Sequence, residues 1–393
     1  MSKALIISVG TGVGGTPTIA QGIVFSVRGH NPDKVFYVVT PESENQTLPK
    51  VLAQCGDKPY EVWRLTDPED INQAFDELRK RFKEVRDEFT EVCTDYTSGT
   101  KTMSAVLAIL GSLYGVDTLS YVGGKRVSGT VASGSETLLT FSPYTVIAEL
   151  KLAEAVALFN NCQYDACLGT TEWVTKRVAV ALLPPEFTDL QKLAKAYSAW
   201  DKFQHGEARN ILSDIKLPQL DGNKEFLGRL DKEPVKEPYY IADFLNNAMR
   251  RGDIEGKYDD AVARLYRVME LVAQWKLKVD HGIADTGDVP QEKVPFEYAR
   301  SADGKIKLAL YQCYQLLATQ NDPVGRLFIE DKQFLGLLEA RNQSILAHGT
   351  KPVSRDIYLQ FKDKVAAFAT AALKERRIYL ERLRSISRFI KWG

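Results

Sequence analysis

Neither sign of charge prevails in this chain, which carries 51 Lys plus Arg against 51 Asp plus Glu. Such a balance leaves no global field to draw in nucleic acid, so any nucleic-acid site has to be a local patch. Histidine is scarce: His30, His205, His281 and His348 are the four in 393 residues, which narrows the search for an acid–base catalyst. Cysteine is scarce too. Cys55, Cys93, Cys162, Cys167 and Cys313 are an odd, scattered set without a CxxC, which argues against a disulfide framework or a structural zinc and fits a reducing compartment. No His/Cys/carboxylate cluster has metal-ligand spacing, so no metal is expected. No apolar stretch is long enough to span a bilayer, and the opening MSKALIISVG lacks the order of a signal peptide. The expectation is a cytoplasmic protein without membrane contact.

What is present suits two domains. The chain is 44% hydrophobic and 26% charged, ordinary for a globular protein of this length. Residues 1–145 alternate short apolar runs with helical stretches. Strands are expected at Ala4–Val9, Val35–Thr40, Tyr60–Leu65, Glu91–Asp95 and Leu119–Val122, with an edge strand at Leu138–Phe141. Helices fall between them. The alternation implies an α/β Rossmann-like domain, a parallel sheet covered on both faces. Residues 146–393 read as all-helical. The clearest helix is Tyr258–Lys278, where Ala261, Leu265, Val268, Val272 and Trp275 recur at helical spacing. Asp221–Tyr239 and Asp280–Pro295, polar and Pro-containing, read as surface connections.

Two Gly-rich loops follow strands in the first domain. In SVGTGVGGTPT, Gly10, Gly12 and Gly15 satisfy G-x-G-x-x-G between a strand and a helix, where backbone N–H groups can meet an anion. Alone this is weak, since a tight turn needs glycines as well. A dinucleotide site further requires an acidic residue after the second strand, and Glu42 only roughly qualifies. The second loop, Asp95-Tyr96-Thr97-Ser98-Gly99-Thr100-Lys101, supplies hydroxyls, a cation and a helix N-terminus. Strands one and four of a doubly wound sheet flank its switch point, where ligands bind. Convergence of both loops there favours a phosphate site over plain turns. Gly124-Lys125-Arg126 is either a further cationic contact or a solvated hairpin turn.

In the helical region, FLGLLEARNQSILAHGTKP (334–352) places Phe334, Leu338 and Ile345 on one face, with Gly349 as the expected cap after a helix reaching His348. On such a helix Arg341 and His348 would lie within ~20° of each other and about 10 Å apart along the axis. By spacing alone, a surface arginine and a helix-terminal histidine is the simpler reading. Yet Arg341, Asn342 and His348 are also the groups metal-free RNA cleavage wants: a guanidinium for the charged phosphorane and an imidazole for proton transfer. This segment offers one imidazole per chain, which makes a two-fold dimer the natural source of a second.

With these motifs the chain resembles the CARF–HEPN ancillary ribonucleases of type III CRISPR systems. The likeness runs through GTGVGGT, DYTSGTKTM, YDDAVARLYRVMELVAQ and ARNQSILAHG. The last fits the family's HEPN pattern of Arg, a short spacer and His, here with six residues between and Asn directly after the Arg. The resemblance implies a CARF-like ligand-sensing domain over 1–145 and a HEPN ribonuclease domain within 146–393. It implies activation by cyclic oligoadenylate, either cyclic tetra-adenylate or cyclic hexa-adenylate, and metal-independent cutting of single-stranded RNA by a homodimer in antiviral defence. Carried over, Arg341, Asn342 and His348 are catalytic. Thr11, Gly12, Gly14, Gly15, Thr97, Ser98, Gly99, Thr100 and Lys101 line the activator site, with Gly124, Lys125 and Arg126 beside it.

Two other readings compete. One is an NAD(P)-dependent oxidoreductase built on GTGVGG, which gives no reason for the Arg…His half. The other is a nucleotide-binding regulator without catalysis, in which Arg341 and His348 are structural. Tyr266, Arg267 and Glu270 read as the polar back of a core helix, with Glu270 a conceivable brace for Arg341. The stretch from Lys374 to Lys391, with a stripe of Tyr379, Leu383, Ile386 and Ile390, reads as a packed terminal helix with a basic outer face. His205 and His281 are expected to be solvent-exposed.

Overall fold

The structure, a computed structural model, describes residues 2–12, 16–127, 130–179, 182–295, 298 and 300–393. They fall into two compact units: Met1–Ala153 with Glu172–Pro184, and Glu154–Thr171 with Pro185–Gly393.

The first unit runs β1 (Lys3–Val9), α1 (Thr16–His30), β2 (Lys34–Val39), α2 (Pro41–Gln46), α3 (Leu48–Cys55), β3 (Tyr60–Arg64), α4 (Ile71–Glu88), β4 (Glu91–Asp95), α5 (Lys101–Leu113) and β5 (Thr118–Gly123). A small hairpin, β6 (Arg126–Val127) and β7 (Thr130–Val131), precedes β8 (Thr137–Phe141). The main sheet has the order β3-β2-β1-β4-β5-β8. Its first five strands are parallel, and β8 closes the edge antiparallel to β5. Alternating residues feed two cores. Ile6, Phe36, Trp63 and Val92 pack on α4 and α5 on one face, and Leu5, Ile7, Val9 and Tyr37 pack on α1 and α3 on the other. Both faces are dry, as apolar parallel strands require. The Rossmann-like reading holds, and the order reverses between β1 and β4, putting the two Gly-rich loops side by side.

Helices α6 (Tyr144–Asn160) and α7 (Tyr164–Thr175) follow. The second unit continues with α8 (Pro185–Asp201), α9 (His205–Ser213), α10 (Asp221–Lys232), α11 (Glu237–Met249), α12 (Tyr258–His281), α13 (Leu310–Thr319), α14 (Pro323–Glu330), α15 (Lys332–Asn342), α16 (Arg355–Lys374) and α17 (Leu380–Ile386). Its axis is α12, which packs on α11, α13, α15 and α16. Leu265, Val268, Val272 and Trp275 are buried along it, as the periodicity requires. Lys276 of α12 is 4% exposed and holds Asp280, Asp322 and Glu375 at 2.7–3.0 Å. Burial opposes its charge, but these carboxylates outweigh burial and raise its pKa.

Three expectations are corrected. Asp221–Tyr239 is not a loop but α10 and the start of α11. Phe226, Leu227 and Leu230 bury one face of α10, and Pro238 sits in the first turn of α11, where its missing N–H costs nothing. The terminal basic helix shrinks to α17, since α16 stops at Lys374 and, among the described residues, no helix follows Ile386. Arg377 adopts a left-handed φ of 58°, and Ile378 N–H returns to the Leu373 carbonyl at 3.1 Å, closing α16. Tyr379, expected in the apolar stripe, is exposed, whereas the charged Arg384 is buried on Glu381 and Asn246. Nor are the two histidines free: His205 Nε2 is 2.7 Å from buried Asp243, and His281 Nε2 is 3.4 Å from Asp322. Asp243 also accepts the Trp200 indole N–H at 2.9 Å.

Candidate functional site

The loop after β1 and the loop after β4 interlock. The Ser98 hydroxyl donates to the Ser8 carbonyl at 2.5 Å and accepts the Gly10 N–H at 3.2 Å. Ser8 returns a hydroxyl bond to the Ser98 carbonyl. Ser98 is 6% exposed. Its hydroxyl therefore ties the loops together and has little left for a ligand.

Asp95, fully buried at the end of β4, organises the second loop. One carboxylate oxygen accepts the Thr97 N–H at 2.8 Å, and the other accepts the hydroxyls of Ser26 and Ser120, each at 2.7 Å. Ser120 has one proton and gives it to Asp95, so His30 Nε2, 2.8 Å from Ser120 Oγ, must be the donor there. That fixes the neutral Nε2–H tautomer, in keeping with burial, which lowers the His30 pKa. Thr97 Oγ1 accepts the Val122 N–H at 2.8 Å, and Thr100 caps α5 while donating to the Pro68 carbonyl at 2.8 Å.

Beyond the carboxyl ends of β1 and β4 lies an open cleft of about 610 Å3. Gly10, Thr11, Gly12, Gly99 and Thr100 line it, together with Thr40, Pro41, Glu42, Pro68, Glu69 and Met103. Of the predicted loop residues, Thr11, Gly12, Gly99 and Thr100 thus meet at one cleft. Thr97 and Ser98 lie behind it as supports. Lys101, Gly124, Lys125 and Arg126 are exposed outside its lining, with Arg126 bonded to the Tyr121 hydroxyl at 2.6 Å. Gly14 and Gly15 lie outside the described residues. Sequence reasoning missed the carboxylate rim of Glu69 and the buried Asp95 network. A polar run such as Cys-Thr-Asp gives no hint that its aspartate points inward.

In the helical unit the expected continuous helix to His348 does not form. α15 ends at Asn342, and residues 343–351 fold back on its end. The Ser344 N–H bonds to the Arg341 carbonyl at 3.0 Å, His348 N–H to Asn342 at 3.1 Å and Lys351 N–H to Gln343 at 3.2 Å. A Cβ on Gly349 would lie 1.9 Å from the Gln343 carbonyl oxygen, so the fold-back demands glycine there. Buried Ser344 plugs the loop, and Ile345 is 57% exposed rather than part of the inner stripe. A backbone bond to Asn342, not helical periodicity, therefore holds the His348 backbone at the end of the helix that carries Arg341. Phe334 anchors α15, packing on Phe328 and Phe368 at 5.5 and 5.2 Å between ring centroids.

Arg341 lies half-buried with its guanidinium carbon 4.1 Å from the centre of the Tyr266 ring, and its Nη1 donates to Asn342 Oδ1 at 3.1 Å. Glu270 is not its brace: Glu270 pairs with Arg267 at 2.8 Å. Burial, and then the charge of Glu270, raise the Tyr266 pKa, while Arg341 pulls it down. His348 and Asn342 are exposed.

Residues 147–233 match the family model of the Csm6 6H domain, and residues 229–372 match that of the Csm6 HEPN domain. The chain belongs to the Csm6 family. The CARF–HEPN resemblance drawn from its motifs is thereby borne out, and the NAD(P) reading loses its footing. A CRISPR system endoribonuclease Csm6 from Thermus thermophilus is 24% identical over 395 aligned residues, 88% of this chain and 81% of that one. The structure of Enterococcus italicus Csm6 bound to cyclic hexa-2′-fluoro-hexa-dAMP covers 99% of this chain and 100% of its own, with a TM-score of 0.67 at 11% identity. The Csm6 fold is thus shared end to end. Arg341, Asn342 and His348 all fall inside the stretch matched by the HEPN domain. Among the described residues, no three His, Cys, Asp or Glu side chains are grouped to hold a metal ion, and no helix is long and apolar enough to cross a membrane.

Proposed function

We propose that this Csm6 homologue is a cyclic-oligoadenylate-activated endoribonuclease that cuts single-stranded RNA in type III CRISPR defence in the cytoplasm. Residues 1–145 act as the CARF-like sensing domain, and the helical region 146–393 carries the HEPN site. The observation that carries this reading is the fold-back after α15, which sets Arg341, Asn342 and His348 at one helix end. The activator occupies the cleft of Thr11, Gly12, Gly99 and Thr100, where glycine backbone lets phosphates approach and the α5 N-terminus favours negative charge. Exposed Lys101, Lys125 and Arg126 add cations around it. Glu42 and Glu69 suit hydroxyl and amino donors of a nucleoside rather than its phosphates.

At the nuclease site the ribose 2′-hydroxyl attacks the adjacent phosphorus. The new bond is 2′-O–P, and the bond that breaks is P–O5′. One imidazole takes the 2′ proton or returns a proton to the departing 5′ oxygen, and Arg341 binds the extra charge of the phosphorane. The opposite proton transfer falls to the His348 of a second protomer, so the working enzyme is a homodimer. Ile345 and Leu346, 57% and 49% exposed between Asn342 and His348, are apolar tips suited to a partner surface. Cleavage proceeds without metal and leaves a 2′,3′-cyclic phosphate or, after its hydrolysis, a 3′-phosphate.

The test is an RNase assay with cyclic tetra-adenylate, cyclic hexa-adenylate or neither, in buffer with and without a chelator. Cleavage that needs one of the rings and survives the chelator is expected. Loss in chelator with recovery on magnesium would refute the metal-free route, and indifference to both rings would refute the activator.

A further inference from the structure

Arg341 makes two contacts that together determine how its guanidinium is held. Its plane carries every N–H donor along its edges and none on its faces. Its guanidinium carbon sits 4.1 Å over the centre of the Tyr266 ring of α12. A cation over an aromatic face is attracted by the ring quadrupole, more strongly with partial burial, and both residues here are half-buried. The contact uses up no donor. Asn342 Oδ1 then takes Nη1 at 3.1 Å and stops rotation in the plane. Among the described residues Nε and Nη2 have no hydrogen-bond partner, which leaves an edge for two phosphate oxygens.

The ring itself is fixed. Tyr266 sits on α12 between buried Leu265 and the buried pair Val268 and Met269. Glu270, one turn along, is held by Arg267 at 2.8 Å and so does not draw Arg341 off the ring. The Tyr266 hydroxyl has no hydrogen-bond partner among the described residues, so the ring rather than the hydroxyl makes the contact.

We propose that Tyr266 is a positioning residue for RNA cleavage, a platform on which the Arg341 guanidinium lies flat with its free edge turned to the scissile phosphate. This rests on the reading of Arg341 as a catalytic group. It assigns a role to α12, outside the Arg…His segment, and to aromaticity rather than to the phenol.

The experiment measures RNA cleavage at saturating cyclic oligoadenylate over a range of RNA concentrations for Tyr266→Phe, Tyr266→Leu and Arg341→Ala. Tyr266→Phe keeps the ring face and should cleave within about twofold of wild type. Tyr266→Leu keeps bulk without a quadrupole and should lower kcat by roughly 3- to 30-fold, the range of such contacts, with little change in KM or in activator affinity. Combined with Arg341→Lys, Tyr266→Leu should add less than it costs alone, because the planar group it supports is gone. A wild-type kcat for Tyr266→Leu, or a Tyr266→Phe as slow as Tyr266→Leu, overturns the platform while an inactive Arg341→Ala keeps the nuclease reading. A fully active Arg341→Ala overturns both.

Discussion

A Cβ placed on Gly10 would stand 2.4 Å from the backbone nitrogen of Gly99. At Gly10 and Gly99 the loops after β1 and β4 meet backbone to backbone, with no side chain between those two residues. Gly10→Ala must push them apart and stretch the Ser98 bonds to Ser8 and Gly10. Overpacking of this kind costs about 1–3 kcal/mol. A lower melting temperature and loss of cyclic oligoadenylate binding by calorimetry are expected. Unchanged values for both would mean that the loops are not coupled.

What the sequence made legible follows from period and burial. The central strands β1, β2 and β4 are apolar runs buried on both sides, and such runs announce themselves. Their order followed from alternation, so the cleft between β1 and β4 was foreseeable. Contacts set by a single tertiary neighbour were not. Ser98 reads as a phosphate donor in TSGTK, yet it bonds Ser8 across the sheet. The register that brings Ser8 beside it is invisible locally. Gly222, Pro234 and Pro238 made 221–239 look like a loop, while the stripe of Phe226, Leu227 and Leu230 prevailed through packing. Gly349 was read as the cap of a helix that in fact ends at Asn342, nearly two turns earlier, because only the fold-back onto Gln343 shows which carbonyl it must approach.

The Asp95–Ser120–His30 chain makes a pH prediction. Burial lowers the His30 pKa from its ordinary 6.5, with nearby Asp95 acting in the opposite direction. The unfolded chain therefore binds a proton that the folded chain resists. Stability rises with pH wherever the unfolded state binds more protons, so this contribution is intact above about 6.5 and is lost as pH falls toward the folded value. Melting temperature should fall more steeply between pH 7 and 5 for wild type than for His30→Gln, whose amide can still donate to Ser120. Parallel slopes would contradict the buried, neutral histidine.

The two sites should separate by mutation. Lys101 is exposed at the α5 N-terminus, and His348 is exposed beside Asn342. His348→Ala should abolish cleavage and leave activator affinity nearly intact. Lys101→Ala should do the reverse: activation weak at low cyclic oligoadenylate and recovering as it is raised, since a ligand shifts an equilibrium only by its differential affinity. Thr11→Ala should resemble Lys101→Ala. A titration of RNase rate against activator compares all three with wild type. A fully active His348→Ala would leave the Arg…His segment structural and favour a regulator without catalysis.

Gly349 offers the sharpest test of the fold-back itself. Its φ is unremarkable, and the constraint is proximity, 1.9 Å from a built Cβ to the Gln343 carbonyl oxygen. Alanine there cannot coexist with that turn. Gly349 N–H bonds to the Ser344 carbonyl at 3.2 Å, and Lys351 N–H returns to Gln343, so opening the turn releases His348 from its place by Asn342. The loop is peripheral: Ile345, Leu346 and His348 are exposed, and α15 stays anchored through Phe334. Loss of its few partly solvated bonds should cost only about 1–2 kcal/mol. Gly349→Ala should therefore melt within a few degrees of wild type and bind cyclic oligoadenylate normally, yet cleave RNA at least tenfold more slowly, because a displaced imidazole misses the proton it must transfer. Were the helix continuous to His348, with Gly349 an ordinary cap, alanine would be nearly silent in all three measurements. A silent Gly349→Ala would thus restore the helical spacing of Arg341 and His348 in place of the fold-back.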